Sequence, residues 1–181
     1  MSQFGKNLEE EVLNALTHLP LAAISIYELG CGSPNRVFLT FSFFTFFFSF
    51  LYHITRRLSL KIIFRRLDVA SIFWLVPATV FHFIPTSVAV PILCLCVAMS
   101  IPVIKSGTST LFTDVALIIL TLCCLMMVFI FSESWRSVGI GVFFYACGLP
   151  FYFKDEVKWT HLIWHLFVIA GWSSHLWAHL K

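Results

Sequence analysis

Leu111-Phe112-Thr113-Asp114-Val115-Ala116-Leu117-Ile118-Ile119-Leu120-Thr121-Leu122-Cys123-Cys124-Leu125-Met126-Met127-Val128-Phe129-Ile130-Phe131 is apolar almost from end to end. Its one ionisable group apart from the thiols, Asp114, stands near its start. A helix crossing a bilayer needs about 20 consecutive apolar residues. The run is continuous rather than alternating, so it reads as a transmembrane helix and not as a barrel strand.

Working outward, six similar segments flank it. They cover about Leu13 to Leu29, Val37 to Ile54, Asp68 to Phe83, Thr86 to Val103, Val138 to Phe153 and Trp159 to His179. The loop from Gly30 to Arg36 is rich in turn residues. The stretch from Thr55 to Leu67 reads as a basic loop whose middle, Leu58 to Phe64, can lie as a short interfacial helix. The turn at Pro85 separates the third and fourth segments. The remaining connections are short, so consecutive helices are expected to be antiparallel neighbours. Residues 1–181 thus read as a single seven-helix transmembrane domain, all-α, with no linker, repeat or low-complexity tract.

Composition agrees. The chain is 59% hydrophobic and only 12% charged, about half the charge of an ordinary soluble domain. A mean hydropathy of +0.90 makes lipid the natural solvent. No basic stripe interleaves with aromatics, which excludes a nucleic-acid partner as the working reading. Membrane lipids, with a lipid substrate among them, are the expected partners. Five of the six cysteines sit inside apolar runs, where the thiol behaves as a small hydrophobe. A soft-metal site is the less favoured reading of the neighbouring pairs. The first dozen residues are polar and acidic, so no cleavable signal peptide is expected.

Orientation follows from Lys and Arg in short loops. With the N-terminus in the cytoplasm, Lys6, Arg56, Arg57, Lys61, Arg65, Arg66, Lys105, Lys154 and Lys158 fall inside, and Arg36, Arg136 and Lys181 outside. Nine against three accounts for all 12 basic residues. An odd number of spans then puts the C-terminus outside. A plasma or bacterial inner membrane is the first expectation for location, an endomembrane the second.

The chemistry gathers at one depth. His161 and His165 are four residues apart at the start of the seventh span, so they share a helix face. His53 ends the second span and Asp68 opens the third, both on the same cytoplasmic side. Three histidines with an open position form a catalytic zinc pattern. Asp68 can act as general base or orient a water, and Ser49, one turn before His53, can position substrate or water. Asp68 can equally cap the third helix or pair with Arg65 or Arg66, and Ser49 can be a packing residue. His18 can face the same cavity. Asp114 reads first as a helix cap. His82 reads as a helix-terminus residue. His175 and His179 repeat the four-residue spacing at the outer end of the seventh span. They are expected to be interfacial, beside Trp172 and Trp177.

Four stretches carry a family resemblance. They are Glu10-Glu11-Val12-Leu13-Asn14-Ala15-Leu16-Thr17-His18, Ser49-Phe50-Leu51-Tyr52-His53, Arg65-Arg66-Leu67-Asp68 with Ser71-Ile72-Phe73, and His161-Leu162-Ile163-Trp164-His165-Leu166-Phe167-Val168-Ile169-Ala170-Gly171. In order and content they resemble the hemolysin III family of seven-helix membrane proteins. That family is related to the progestin and adipoQ (adiponectin) receptors and, more distantly, to the alkaline ceramidases. The chain departs from it at Val69, where the family has histidine, and at Leu19-Pro20, where a glycine commonly follows the Thr-His pair. The resemblance implies a zinc ion on His53, His161 and His165 with Ser49 and Asp68 beside it, and a hydrolase activity on a lipid amide or ester. Two other functions stay open: a non-enzymatic receptor or membrane-regulatory protein with structural zinc, and a lytic membrane protein, as the family name suggests.

Overall fold

A computed structural model describes residues 8–106, 111–154 and 156–180. Lys6 and Lys181, used above for orientation, lie outside the described residues. Seven α-helices and no strands occur among those described: α1 (Leu8–Gly30), α2 (Arg36–Ile54), α3 (Leu58–Val80), α4 (Thr86–Ser106), α5 (Leu111–Phe131), α6 (Trp135–Phe153) and α7 (Thr160–Leu180). Four of them, α1, α2, α4 and α5, are long and apolar enough to cross a membrane. Of the other three, α3 carries Lys61, Arg65, Arg66 and Asp68, and α7 carries four histidines.

Side-chain contacts fix the helix directions. The end of α2 meets the start of α7 through His53 and His161, and the start of α2 meets the end of α7 through Asn35 and the His179 carbonyl. Glu11 joins the starts of α1 and α3 through Lys61. The end of α6 reaches the start of α7 through Tyr152 and Trp164. Helices α1, α3 and α7 therefore run one way and α2 and α6 the other. α1 packs on α2 and α7, α2 on α3, α3 on α4 and α5, α5 on α6, and α6 on α7. The ring of six, α1-α2-α3-α5-α6-α7, closes on itself, with α4 on the outside of α3.

Two features hold α7 in this ring. Trp172 of α7 is buried between Phe38 and Phe46 of α2, and its indole Nε1 donates to Ser42 Oγ at 2.8 Å. Satisfying that N–H lets a large ring enter the core without leaving a polar group stranded. On the other side of α7, glycines let α6 approach closely. A Cβ at Gly148 would lie 2.7 Å from the Trp164 ring and 2.8 Å from Phe167 Cβ. A Cβ at Gly141 would fall onto the His175 ring and 2.8 Å from the Gly171 carbonyl. Small residues at such crossings are how apolar helices gain packing where no water drives them together.

The structure corrects the reading of residues 55–67. They are not a basic loop with an isolated interfacial turn. Only residues 55–57 connect α2 and α3, and the helix runs unbroken from Leu58. Charge density suggested a loop, yet Leu, Lys and Arg are good helix formers and no Gly or Pro intervenes before Pro77. Asp68 consequently does not cap α3. It lies ten residues inside it, about 15 Å from its start at 1.5 Å per residue.

Candidate metal centre

His53 is the penultimate residue of α2, and His161 and His165 occupy the first two turns of α7. One nitrogen from each lies within 4.8 Å of one from each of the others. His53 and His165 are buried, at 3% and 2% exposure, and His161 is half-buried. The ring centroids form a near-equilateral triangle: 5.1 Å for His53–His161, 5.0 Å for His53–His165 and 4.7 Å for His161–His165. Nitrogens sharing one tetrahedral ion at about 2.0–2.1 Å sit about 3.3 Å apart, and His53 Nε2 to His161 Nε2 is 3.3 Å. Among the described residues, this is the one group of three or more His, Cys, Asp or Glu side chains that can hold a metal ion.

Two of the rings are held at their outer edges as well. His53 Nδ1 is 2.9 Å from Glu11 Oε2, and the same oxygen accepts from Lys61 Nζ at 2.9 Å. His165 Nδ1 is 2.9 Å from Thr17 Oγ1. A metal-bound histidine characteristically fixes its other nitrogen on a carboxylate, carbonyl or hydroxyl, which sets the tautomer and aims the lone pair inward. His53 and His165 are arranged in that way, so the donor set fits a metal.

Glu11, Thr17 and Lys61 were given no role from sequence, although the first two stand in the α1 stretch that carries the resemblance. The available signal was spacing. Glu10, Glu11, Asn14, Thr17 and His18 recur at three- and four-residue intervals in an otherwise apolar helix, which puts them on one face. That face turns inward. Glu10, Glu11, Asn14 and His18 are all buried. Glu10 Oε1 accepts the backbone N–H of Trp159 at 3.2 Å. Trp159 has φ of 70°, unusual for a bulky residue, and its carbonyl accepts from Ile163 at the start of α7. The α1 carboxylate thus pins the strained residue from which α7, with its two histidines, begins.

His18 lies against the cluster without joining it. Its ring stacks on His165 at 4.0 Å and 11°, and packs on Phe46 at 5.2 Å. Parallel rings aim their lone pairs side by side rather than at one point. Both His18 nitrogens and both side-chain polar atoms of Asn14 are buried without a hydrogen-bond partner. Ser49 is buried, one turn before His53, and its side chain is within hydrogen-bonding reach of the Asp68 carboxyl, with the Arg65 charge nearby. Asp68 is half-buried. Asp114 lies in the first turn of α5.

The outer histidines require a correction. His175 and His179 are not interfacial. Both are buried, with Nε2 donating to backbone carbonyls, Val138 at 3.1 Å and Thr79 at 3.0 Å. They are core histidines that satisfy their polar edge within the bundle. Of the two tryptophans placed beside them, Trp177 is exposed and Trp172 is buried. His82 is exposed in the turn after α3.

The chain matches no protein-family model, no curated protein and no solved structure.

Proposed function

We propose that the chain is a seven-helix integral-membrane protein, N-terminus cytoplasmic and C-terminus outside, that hydrolyses a lipid amide or ester with zinc on His53, His161 and His165. In this reading the likeness to the hemolysin III family and its ceramidase relatives reflects kinship. The observation that carries the proposal is the pre-aimed histidine triad: two of its three rings have their outer nitrogens held, by Glu11 and Thr17, and the third is 3.3 Å away through Nε2. The four helices apolar enough to cross a membrane support the location. Among the described cations, Arg56, Arg57, Lys61, Arg65, Arg66, Lys105, Lys154 and Lys158 fall at the metal end or its connections, against Arg36 and Arg136 at the other, which supports the orientation.

Zinc, when bound, supplies Lewis acidity at the scissile carbonyl. The protein's own part is as follows. Glu11 and Thr17 hold the tautomers of His53 and His165. Asp68 takes the proton of the attacking water and returns it to the leaving nitrogen or oxygen, as the new C–O bond forms and the scissile bond breaks. Ser49, close to the Asp68 carboxyl, keeps that carboxylate facing its work. In this reading the acyl chains lie along the apolar helices around the cluster, with the headgroup entering from the cytoplasmic leaflet.

A second reading is favoured by one observation. The cluster and its partners tie α1, α2, α3 and α7 together, which suits a structural zinc in a non-enzymatic receptor or regulatory protein. Two measurements test and separate these. Zinc per purified chain is expected near one; a value near zero with all three histidines intact would sink the metal site. Lipid products from a panel of ceramide-like amides and esters are expected to vanish in Asp68→Asn while zinc is retained. Unchanged products in that variant would remove the base, and no products even in the parent protein would leave the structural-zinc reading.

A further inference from the structure

Among the cations at the metal end, Arg65 stands apart by the face it occupies. Along α3, Lys61, Arg65, Asp68, Leu75 and Thr79 follow one another at helical spacing, so they share one side of the helix. The neighbours of Arg65 show what that side meets. Lys61 Nζ donates to Glu11 Oε2, the oxygen that also holds His53. The Asp68 carboxyl lies close to Ser49, one turn before His53. Leu75 packs in one cluster with Phe38 and Phe46 of α2 and Trp172 of α7. The Thr79 carbonyl accepts from His179. Arg65 therefore sits on the side of α3 turned to α2 and α7, one turn from Lys61 and one from Asp68, and it is half-buried.

Its charge has no contact partner there. Lys61, one turn earlier, is neutralised by Glu11 at 2.9 Å. The Arg65 side chain forms neither an ion pair nor a hydrogen bond with any described residue, although Asp68 is near enough to feel its charge. The buried carboxylates at this end are committed elsewhere: Glu10 accepts from the Trp159 backbone, and Glu11 serves His53 and Lys61. Topology asks for positive charge on this side of the membrane, and the exposed Arg56 and Arg57 supply it. It does not ask for a cation turned inward. A guanidinium partly withdrawn from water without a counter-charge is costly to keep, and its planar fork matches a phosphate.

We infer that Arg65 recognises a phosphate on the headgroup of the lipid, so that the substrate of the hydrolase proposed above, on which this step rests, is a phospholipid. Arg65 and Asp68 are separated by about 4.5 Å of helix rise. The phosphate then lies a few bonds from the scissile carbonyl, as it does from the nearer acyl group of a glycerophospholipid. Arg56 and Arg57, on the connection just after His53, concentrate anionic headgroups at this end. Arg65 is thus a specificity residue, while Asp68 and the histidine triad keep the roles given to them.

Native mass spectrometry of the purified chain in detergent tests this with a diether dihexyl phosphatidylglycerol, which offers no ester to hydrolyse, with uncharged dihexylglycerol and with glycerol phosphate. One phosphatidylglycerol per chain is expected, with dihexylglycerol and glycerol phosphate each about tenfold weaker or worse. Arg65→Gln should weaken phosphatidylglycerol about tenfold and leave dihexylglycerol unchanged. Arg65→Lys, which keeps the charge and loses the fork, should fall between. Lys105→Gln removes the same charge at an exposed position of α4 and should change nothing. Thermal unfolding of Arg65→Gln should match the parent, so that lost binding is not lost folding. Dihexylglycerol or glycerol phosphate binding as tightly as the phospholipid, unchanged binding in Arg65→Gln, or an equal loss in Lys105→Gln overturns the inference. Turnover of the diacyl lipid is measured separately. Arg65-dependent binding of the diether without any turnover sinks the hydrolase and keeps the phosphate site, and turnover indifferent to Arg65 does the reverse.

Discussion

Glu11→Gln is the substitution that most directly interrogates the site. One carboxylate oxygen serves His53 Nδ1 and Lys61 Nζ, each at 2.9 Å. The three side chains are nearly sealed from solvent, at 9%, 1% and 10% exposure for Glu11, His53 and Lys61. The glutamine keeps the shape and removes the charge. Two effects follow and are separable. His53 loses its anionic orienting partner, which typically lowers metal affinity by about 10–100-fold. Lys61 keeps its charge in a buried place without a counter-ion, which costs about 3–5 kcal/mol of stability. A companion Lys61→Met removes the stranded ammonium, so the double variant should recover most of the lost stability while its metal affinity stays low. Competition of purified protein against a zinc chelator reads the first quantity, and thermal unfolding in detergent with metal removed reads the second. Zinc affinity within twofold of the parent protein in Glu11→Gln would refute the role given to the carboxylate. So would a double variant that regains both properties together.

Two further substitutions probe other parts of the bundle. Thr17→Val is nearly isosteric and deletes the hydroxyl 2.9 Å from His165 Nδ1; zinc affinity should fall about tenfold with little loss of stability, as read by the same chelator competition. Gly141→Ala drives a methyl into the His175 ring and threatens its bond to the Val138 carbonyl. It should cost about 2–4 kcal/mol in unfolding while zinc stoichiometry in the surviving folded fraction stays unchanged.

Much of the architecture was legible because apolar runs of helix length leave few alternatives. The bounds expected for the fifth segment, Leu111 to Phe131, coincide with α5. The error at α3 arose where two signals competed. Arg56, Arg57, Lys61, Arg65 and Arg66 mark a polar surface, and they also sit on a sequence with nothing to stop a helix. Helix continuity won, because Lys61 found an internal counter-charge in Glu11. The histidine triad was readable from spacing and depth together. Its outer partners were not, because Glu11 and Thr17 are distant in sequence from the rings they serve and acidic residues near a helix start have a ready explanation as dipole partners. The fate of His175 and His179 turned on which face of α7 they occupy. Spacing gives their shared face but not whether that face meets carbonyls or headgroups.

The partners of the triad come from both ends of the described chain. Thr17 and Glu11 lie in the first helix, and His161, His165 and the Glu10-pinned Trp159 in or just before the last. Long-range closure of this kind is reached late in folding. During synthesis, Glu11 would meet His53 and Lys61 as α2 and α3 follow α1, whereas Glu10 and Thr17 would wait through five more helices for Trp159 and His165. In the proposed metal-binding reading, capture of the ion would report a finished bundle: a chain halted before α7 holds one of the three imidazoles, and the ion would be the last fastener of assembly.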